Sequence, residues 1–396
     1  MTATTATTPA ASAVAAGAAG LTVRKWPRRA AYAGVAGAAG LAVLLPTGTA
    51  GAGWFLAGQV LNVNAVRAYP VRVRAHAGNR VTLTRTPDTS RSMPLAFVWS
   101  SGHAVLGPVI AMDRTSVTRE ITTLTRGTLV SGLKGYTTGY VFEGDPLSAR
   151  GLPFEEVLVP AELGDCPAWL VPPVSGPADD TWIIAVHGRG APRGEALRIL
   201  PTLAASGHNT LVVTYRNDPE AFPSPDARFH LGHTEWRDVL SAIDYARAAG
   251  ARQVVLYGWS MGGAAILNLL RSWEHGGFVR GIVLDCPVVD WTATLRMNAR
   301  QLNVPPLWTW TALKLIQHRL GVRAADLDYR DVPLDVPTLL YVDHDDRTVA
   351  PQPTVALAAA SPSVQLVETR EAGHCRSWNL DPAAYESTVN SFLKSL

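Results

Sequence analysis

Three residue types, placed in order along the second half of the chain, could together carry out covalent acyl transfer. Ser260 sits in Gly258-Trp259-Ser260-Met261-Gly262-Gly263, directly after the apolar run Val254-Val255-Leu256-Tyr257 and at the start of a helical pattern. A serine on a sharp strand-to-helix turn, with glycine two residues before and two after, is a candidate nucleophile. Side chains at Gly258 and Gly262 would collide with neighbouring backbone, and the helix N-terminus behind the serine favours developing negative charge. A hydroxyl needs a base to attack. Of the ten histidines, His374 in Glu371-Ala372-Gly373-His374-Cys375 follows the last apolar strand pattern and precedes the final helix. The acid that orients the imidazole should follow the preceding strand. There Thr338–Val342 runs into Asp343-His344-Asp345-Asp346-Arg347-Thr348-Val349. We take Asp346, because the D-x-x-V spacing before the next helix puts it at the loop apex. Asp345 is the alternative, and Asp343 is read as a strand-end or loop-backbone ligand.

Acyl transfer also requires N–H donors aimed at the developing oxyanion. One is expected from the backbone of Met261. The other is expected from Arg189, in the His187-Gly188-Arg189-Gly190 turn that follows the apolar run 183–186. His187 reads as a residue that holds this loop rather than as a second base. Arg216 could meet a substrate carboxylate, and pairing with Asp218 or Glu220 is the preferred reading. Cys166, Cys286 and Cys375 have neither zinc-site spacing nor an even count. They read as thiols, with Cys286 buried at the end of an apolar run. His103 and Asp113 read as solvated or satisfied structural groups. No metal and no organic cofactor is implied.

The elements that must position these residues are legible as apolar periodicity. A hairpin at 156–159 and 168–171 is followed by strands at 182–187, 210–214, 253–258, 280–285, 337–342 and 364–368. Helical patterns lie near 193–206, 234–249, 261–274, 306–320, 350–359 and 382–395. Apolar strands alternating with helices predict an α/β domain, with a mostly parallel sheet covered by helices on both faces.

From about residue 153 to 396 the chain resembles the α/β-hydrolase superfamily, in the style of exported bacterial esterase-like or prolyl-oligopeptidase-like hydrolases. The resemblance rests on HGRG, GWSMGG, DDRTV and AGHCRSW, in that order. It implies an α/β-hydrolase fold over 151–396. It also implies that the insertion 287–332, with Trp291, Trp308 and Trp310, is a cap.

Upstream, residues 1–30 read as a disordered basic tail ending in Arg24, Lys25, Arg28 and Arg29. Residues 31–62 read as a transmembrane anchor, with a cleaved signal segment as the alternative. Residues 63–150 read as a small β-rich region of short alternating strands. The basic cluster before the apolar segment places the catalytic domain outside the cytoplasm. Hydrophobic residues at 47% and charged residues at 17% exclude a disordered chain as a whole, and a net charge of +3 without dense basic runs excludes a nucleic-acid footprint. The expected activity is hydrolysis of small-molecule or acyl esters by a membrane-tethered serine hydrolase. A serine peptidase and a catalytically inactive scaffold are the alternatives.

Overall fold

In the computed structural model, residues 48–396 are described apart from 65, 66, 177 and 275. The first element is helix α1 (Gly48–Leu61), fourteen residues without an acidic group. At about 1.5 Å per residue it is roughly 21 Å long, short of the ~30 Å hydrocarbon thickness of a bilayer. Ala57 and Leu61 are fully buried. The segment expected as an anchor spans 31–62. Its second half is a helix packed on the protein body, and among the described residues no helix is long and apolar enough to cross a membrane. The rest of that segment and the basic cluster 24–29 lie outside the described residues.

Six strands follow: β1 (Val71–Ala77), β2 (Arg80–Thr84), β3 (Leu95–Trp99), β4 (Gly102–Met112), β5 (Ser116–Arg126) and β6 (Lys134–Thr138). They pair antiparallel throughout in the order β1-β2-β5-β4-β3-β6, and β6 returns to β1 to close a barrel. Val71, Val73, Val81, Leu83, Phe97, Trp99, Ala104 and Leu106 point inward from alternate positions and form its core. The alternation announced the strands. It carried no information about the closure.

Short helix α2 (Pro146–Arg150) leads into hairpin β7 (Glu155–Val159) and β8 (Cys166–Val171). The chain then alternates: β9 (Thr181–Val186), a 3-10 turn at Arg193–Arg198, α3 (Leu200–Ala204), β10 (Asn209–Val213), α4 (Trp236–Ala248), β11 (Gln253–Trp259), α5 (Met261–Ser272) and β12 (Val279–Asp285). It continues with α6 (Trp291–Gln301), α7 (Pro306–Leu320), β13 (Thr338–Asp343), α8 (Pro351–Ala359), β14 (Val364–Thr369), α9 (Ser377–Leu380) and α10 (Pro382–Ser395). Strand order is β14-β13-β12-β11-β9-β10-β8-β7, parallel from β14 to β10 and antiparallel at β8 and β7.

Alternate residues of each central strand serve two separate cores. Val254 and Leu256 of β11 pack with α4, α5 and Leu357 of α8. Val255, Tyr257 and Trp259 pack with α3 and with Tyr385, Val389 and Phe392 of α10. A strand buried on both faces must be apolar at nearly every position, which is why these strands read as continuous apolar runs. The insertion between β12 and β13 is helical, and α6, which the sequence reading did not resolve, is its first helix. Gly53 of α1 lies so close to α7 that a Cβ there would meet Thr311 Cγ2 at 2.7 Å, so only glycine allows this approach.

Candidate active site

The parallel strands end on one side of the sheet, and the loops leaving them bring the candidate residues together. Ser260 occupies the turn between β11 and α5 with φ 49° and ψ −114°, outside the ordinary regions for a residue with a side chain. The two glycines around it are sterically required. A Cβ at Gly262 would fall 2.2 Å from Val186 O, and one at Gly258 would fall 2.6 Å from Ile266 Cδ1 and 2.9 Å from Gly263 N. The bend is fixed further by the Ser260 N–H, which donates to Asp285 O at 3.1 Å.

His374 Nε2 lies 2.8 Å from Ser260 Oγ, and its Nδ1 donates to Asp346 Oδ2 at 2.7 Å. Asp346 is 6% exposed. Its other oxygen accepts the N–H groups of Thr348 at 2.7 Å and Val349 at 3.0 Å. Burial disfavours the imidazolium of His374. The charge and hydrogen bond of Asp346 favour it more, and Glu195 and Asp285 add to this, so the His374 pKa is raised above the ordinary histidine value. Asp345 bonds the Glu371 N–H at 3.0 Å instead. Asp343 accepts from the N–H groups of Asp345 and Ala372 and from the Thr369 hydroxyl, the loop-backbone role anticipated for it.

The loop after β9 runs beside the nucleophile. A Cβ at Gly188 would stand 3.1 Å from Ser260 Cβ. Its backbone is tied down by two side chains: Gly188 N–H donates to Glu195 Oε2 at 2.7 Å, and Tyr215 OH donates to Gly188 O at 2.9 Å. His187 spans Gly188 O at 2.9 Å and Asp218 Oδ2 at 2.8 Å, and stacks on Tyr215. It holds the loop, as read from sequence. With both ring nitrogens facing acceptors, burial opposes its charge but Asp218 prevails, and its pKa is raised. Among the described residues, the backbone N–H groups of Met261 and Arg189 have no acceptor. The Arg189 guanidinium turns away to donate to Val60 O of α1 at 3.0 Å.

Two groups that the sequence reading missed organise this end of the sheet. Glu195 and Arg198, both at most 2% exposed, approach within 3.5 Å, and Arg198 also donates to Cys375 O at 2.7 Å and Asn379 Oδ1 at 2.8 Å. This buried pair therefore joins the Gly188 loop to the residue after His374. Its trace in the sequence is Glu195 and Arg198, opposite charges three apart in the helical pattern that begins at Arg193. Asp285 is the second group, a carboxyl closing an apolar strand. It is 1% exposed, it accepts from Tyr385 OH at 2.9 Å, and burial raises its pKa. Arg216 pairs with Asp238 at 2.8 Å and Glu162 at 3.0 Å, not with Asp218 or Glu220. The correct partner lies on α4, a contact that sequence proximity does not reveal.

Cys166, Cys286 and Cys375 are buried free thiols. Burial beside Asp285 and Asp346 lifts the Cys286 thiol, even against its hydrogen bond with Cys375, to about 11. Among the described residues one set of possible metal donors lies together, Cys286, Asp346 and His374 within 4.8 Å of one another, and two of these are already bonded to each other. Trp291 is a packing residue, 5% exposed with Nε1 donating to Leu231 O at 2.8 Å. Asp113 is satisfied by Thr115 and Ser116 in a turn. His103 is 2% exposed and bonds Thr125 through Nδ1, whereas its buried Nε2 has no partner. It borders a cavity of about 380 Å³ with Tyr136, Tyr140, Phe142, Trp169 and Arg193. Ser260 does not line that cavity, so it is not the pocket of the nucleophile.

Known proteins resemble the chain in both regions. Residues 72–138 match a family described only as a domain of unknown function. An uncharacterized protein of Escherichia coli K12, YfhR, is 25% identical over 153 residues, 38% of this chain. The match spans about half of that relative, 51% of its length. An esterase of Pyrococcus furiosus superposes with a TM-score of 0.50 at 18% identity, covering 64% of this chain and 95% of its own. At that identity the likeness is one of fold. Residues 183–388 match the model of the alpha/beta hydrolase family, and because that match covers just over half of the chain, the protein belongs to the alpha/beta hydrolase family.

Proposed function

We propose that the protein is a serine hydrolase that cleaves carboxylic esters through an acyl-enzyme. The observation that supports this most is the unbroken hydrogen-bonded line from Ser260 Oγ through His374 to Asp346, at 2.8 and 2.7 Å, on a residue held at positive φ. In this reading His374 takes the Ser260 proton as the oxygen attacks the ester carbonyl. The N–H groups of Met261 and Arg189 hold the resulting oxyanion. As the carbonyl re-forms, the C–O bond to the alcohol breaks and His374 gives it the proton. Water, deprotonated by the same histidine, then releases the acid. The mechanism needs no metal and no organic cofactor. The esterase that shares the fold agrees with an ester rather than an amide substrate. The reading takes 151–396 as the catalytic domain and 287–332 as its cap, with the domain outside the cytoplasm.

A fluorophosphonate probe followed by mapping of the modified peptide tests the nucleophile. The expected label is on the Ser260 peptide and is lost in Ser260→Ala. An unlabelled, folded protein would favour the inactive scaffold. Nitrophenyl acyl esters set beside aminoacyl amides test the substrate class, and fast amide turnover with weak ester turnover would make the protein a peptidase. A C-terminal alkaline phosphatase fusion, active only outside the cytoplasm, tests the location.

A further inference from the structure

Helices α6 and α7 carry a surface whose composition differs from the rest of the molecule, and α1 packs along α7. Between Asp290 and Asp326 there is no acidic residue, and before Asp88 there is none at all. Arg296 and Arg300 on α6 and Lys314 on α7 are exposed, and among the described residues none of them has an ion-pair partner. Large apolar side chains of α7 are exposed, Leu307 at 60% and Trp310 at 56%, and on α1 Trp54 is 60% exposed with the Arg319 guanidinium over its ring. Arg296, Arg300 and Trp310 share one shallow hollow of about 240 Å³ between α6 and α7.

The two longer helices run in the same direction, because Gly53 faces Thr311 while Gly58 lies near Arg319. The start of α1 therefore lies toward the start of α7. The 47 residues that precede it carry the apolar run Leu41–Leu45 and the basic cluster Arg24–Arg29. Exposed tryptophan and leucine beside unpaired arginine suit the boundary between lipid headgroups and acyl chains, where the ring keeps its polar edge wet and the cation meets a phosphate.

We propose that the α6/α7 face docks on a bilayer containing anionic phospholipid, with Leu307 and Trp310 in the headgroup boundary and Arg296 and Arg300 on lipid phosphates. The docking depends on this surface alone and not on turnover, so it stands or falls separately from the ester-hydrolase reading.

The test is hydrogen–deuterium exchange of the full chain, with vesicles of phosphatidylcholine alone and of phosphatidylcholine with 30 mol% phosphatidylglycerol. A flotation assay of the same samples accompanies it. The expected result is protection of the segment around Leu302–Leu313 that is stronger with phosphatidylglycerol. Arg296→Gln/Arg300→Gln should lower the preference for the anionic vesicles by about 25-fold, at about fivefold for each cation near a charged membrane surface. Leu307→Gln/Trp310→Gln should remove the protection on both vesicles, with the thermal melt unchanged. Exchange in this segment that is the same with and without vesicles would overturn the proposal, even if the chain floats, because any binding would then belong to other residues. Protection that rises with protein concentration in the absence of lipid would overturn it in favour of a second copy of the chain.

Discussion

The barrel and the α/β domain both bury charged side chains, and they treat them in opposite ways. In the barrel, Arg119 is fully buried with no carboxylate beside it. Its guanidinium donates to the carbonyls of Gly107, Arg91 and Met93, and burial pulls its pKa down to about 10. In the α/β domain four buried acids stand beside a basic side chain, Glu195 with Arg198, Asp238 with Arg216, Asp218 with His187 and Asp346 with His374, while Asp285 and Asp343 are met by hydroxyl and N–H donors. Those pairs gather around the loops at one end of the sheet. A lone cation bound by carbonyls fastens backbone segments together. A set of coupled pairs fixes side-chain directions and protonation states, which a reacting site requires. The barrel reaches that site only by contact. Asp88 pairs with Arg376 at 2.7 Å, Arg91 donates to Glu371 O, and Asn379 donates to Pro94 O and Gly139 O. These hold the loop that carries His374.

The contrast can be broken most decisively at the nucleophile. Ser260→Ala should lower nitrophenyl ester turnover by roughly 10⁵-fold or more, since removing one member of such a set costs nearly as much as removing all. Residual turnover close to the parent would move the chemistry elsewhere, the barrel included. Next come the two kinds of buried charge. Glu195→Ala leaves the Gly188 N–H and the Arg198 cation unpaired in the interior, so urea unfolding should show a loss of about 3–5 kcal/mol, with kcat/KM down about 100-fold. Arg119→Met should cost about 1–3 kcal/mol for the freed carbonyls while the folded fraction keeps its turnover. If the two variants affected turnover equally, the distinction between the regions would fail.

The pH dependence sharpens the contrast, because both paired histidines have raised pKa values and the two consequences run in opposite directions. His374 must be neutral to take a proton, so kcat/KM should fall in acid with an apparent pKa above the ordinary ~6.5. For His187 the charged form is favoured by folding. Its stabilising contribution is complete below about 6.5 and is lost as pH rises through its folded-state value, so the urea midpoint should decline toward alkaline pH. An acid limb centred below 6.5 would contradict the raised His374 pKa. The smallest expected effect lies at the seam. Asp88→Asn weakens a half-exposed pair and should reduce kcat/KM two- to fivefold, with a stability change of no more than about 1 kcal/mol.

Much of this was readable from sequence where local rules apply. Strands buried on both faces announced themselves as unbroken apolar runs, and the glycines at 258 and 262 stood where backbone atoms leave no room for a Cβ. The choice of Asp346 over Asp345 turned on the D-x-x-V spacing, and the fold satisfies it by binding one Asp346 oxygen to the N–H groups of residues 348 and 349. What could not be read is pairing between distant elements. Arg216 finds Asp238 on α4, Glu195 and Arg198 face the His374 loop, and β6 returns to β1. None of these leaves a periodic signal. What covers the apolar stretch ending at Leu61 was unreadable for a related reason: composition gives the hydrophobicity of a helix and not its neighbours, and Ala57 and Leu61 are covered by protein.

The closure of β6 onto β1 limits how the N-terminal β region can meet other molecules. A flat sheet leaves a row of free N–H and C=O groups along its outermost strand, onto which an extended peptide can lie as an added strand. At the barrel seam Val71 and Arg72 take up that row against Gly135 and Lys134, and backbone bonds between Val73 and both Gly132 and Leu133 continue it. A partner that meets the seam at these residues must therefore be recognised through side chains and loop tips rather than by an added strand.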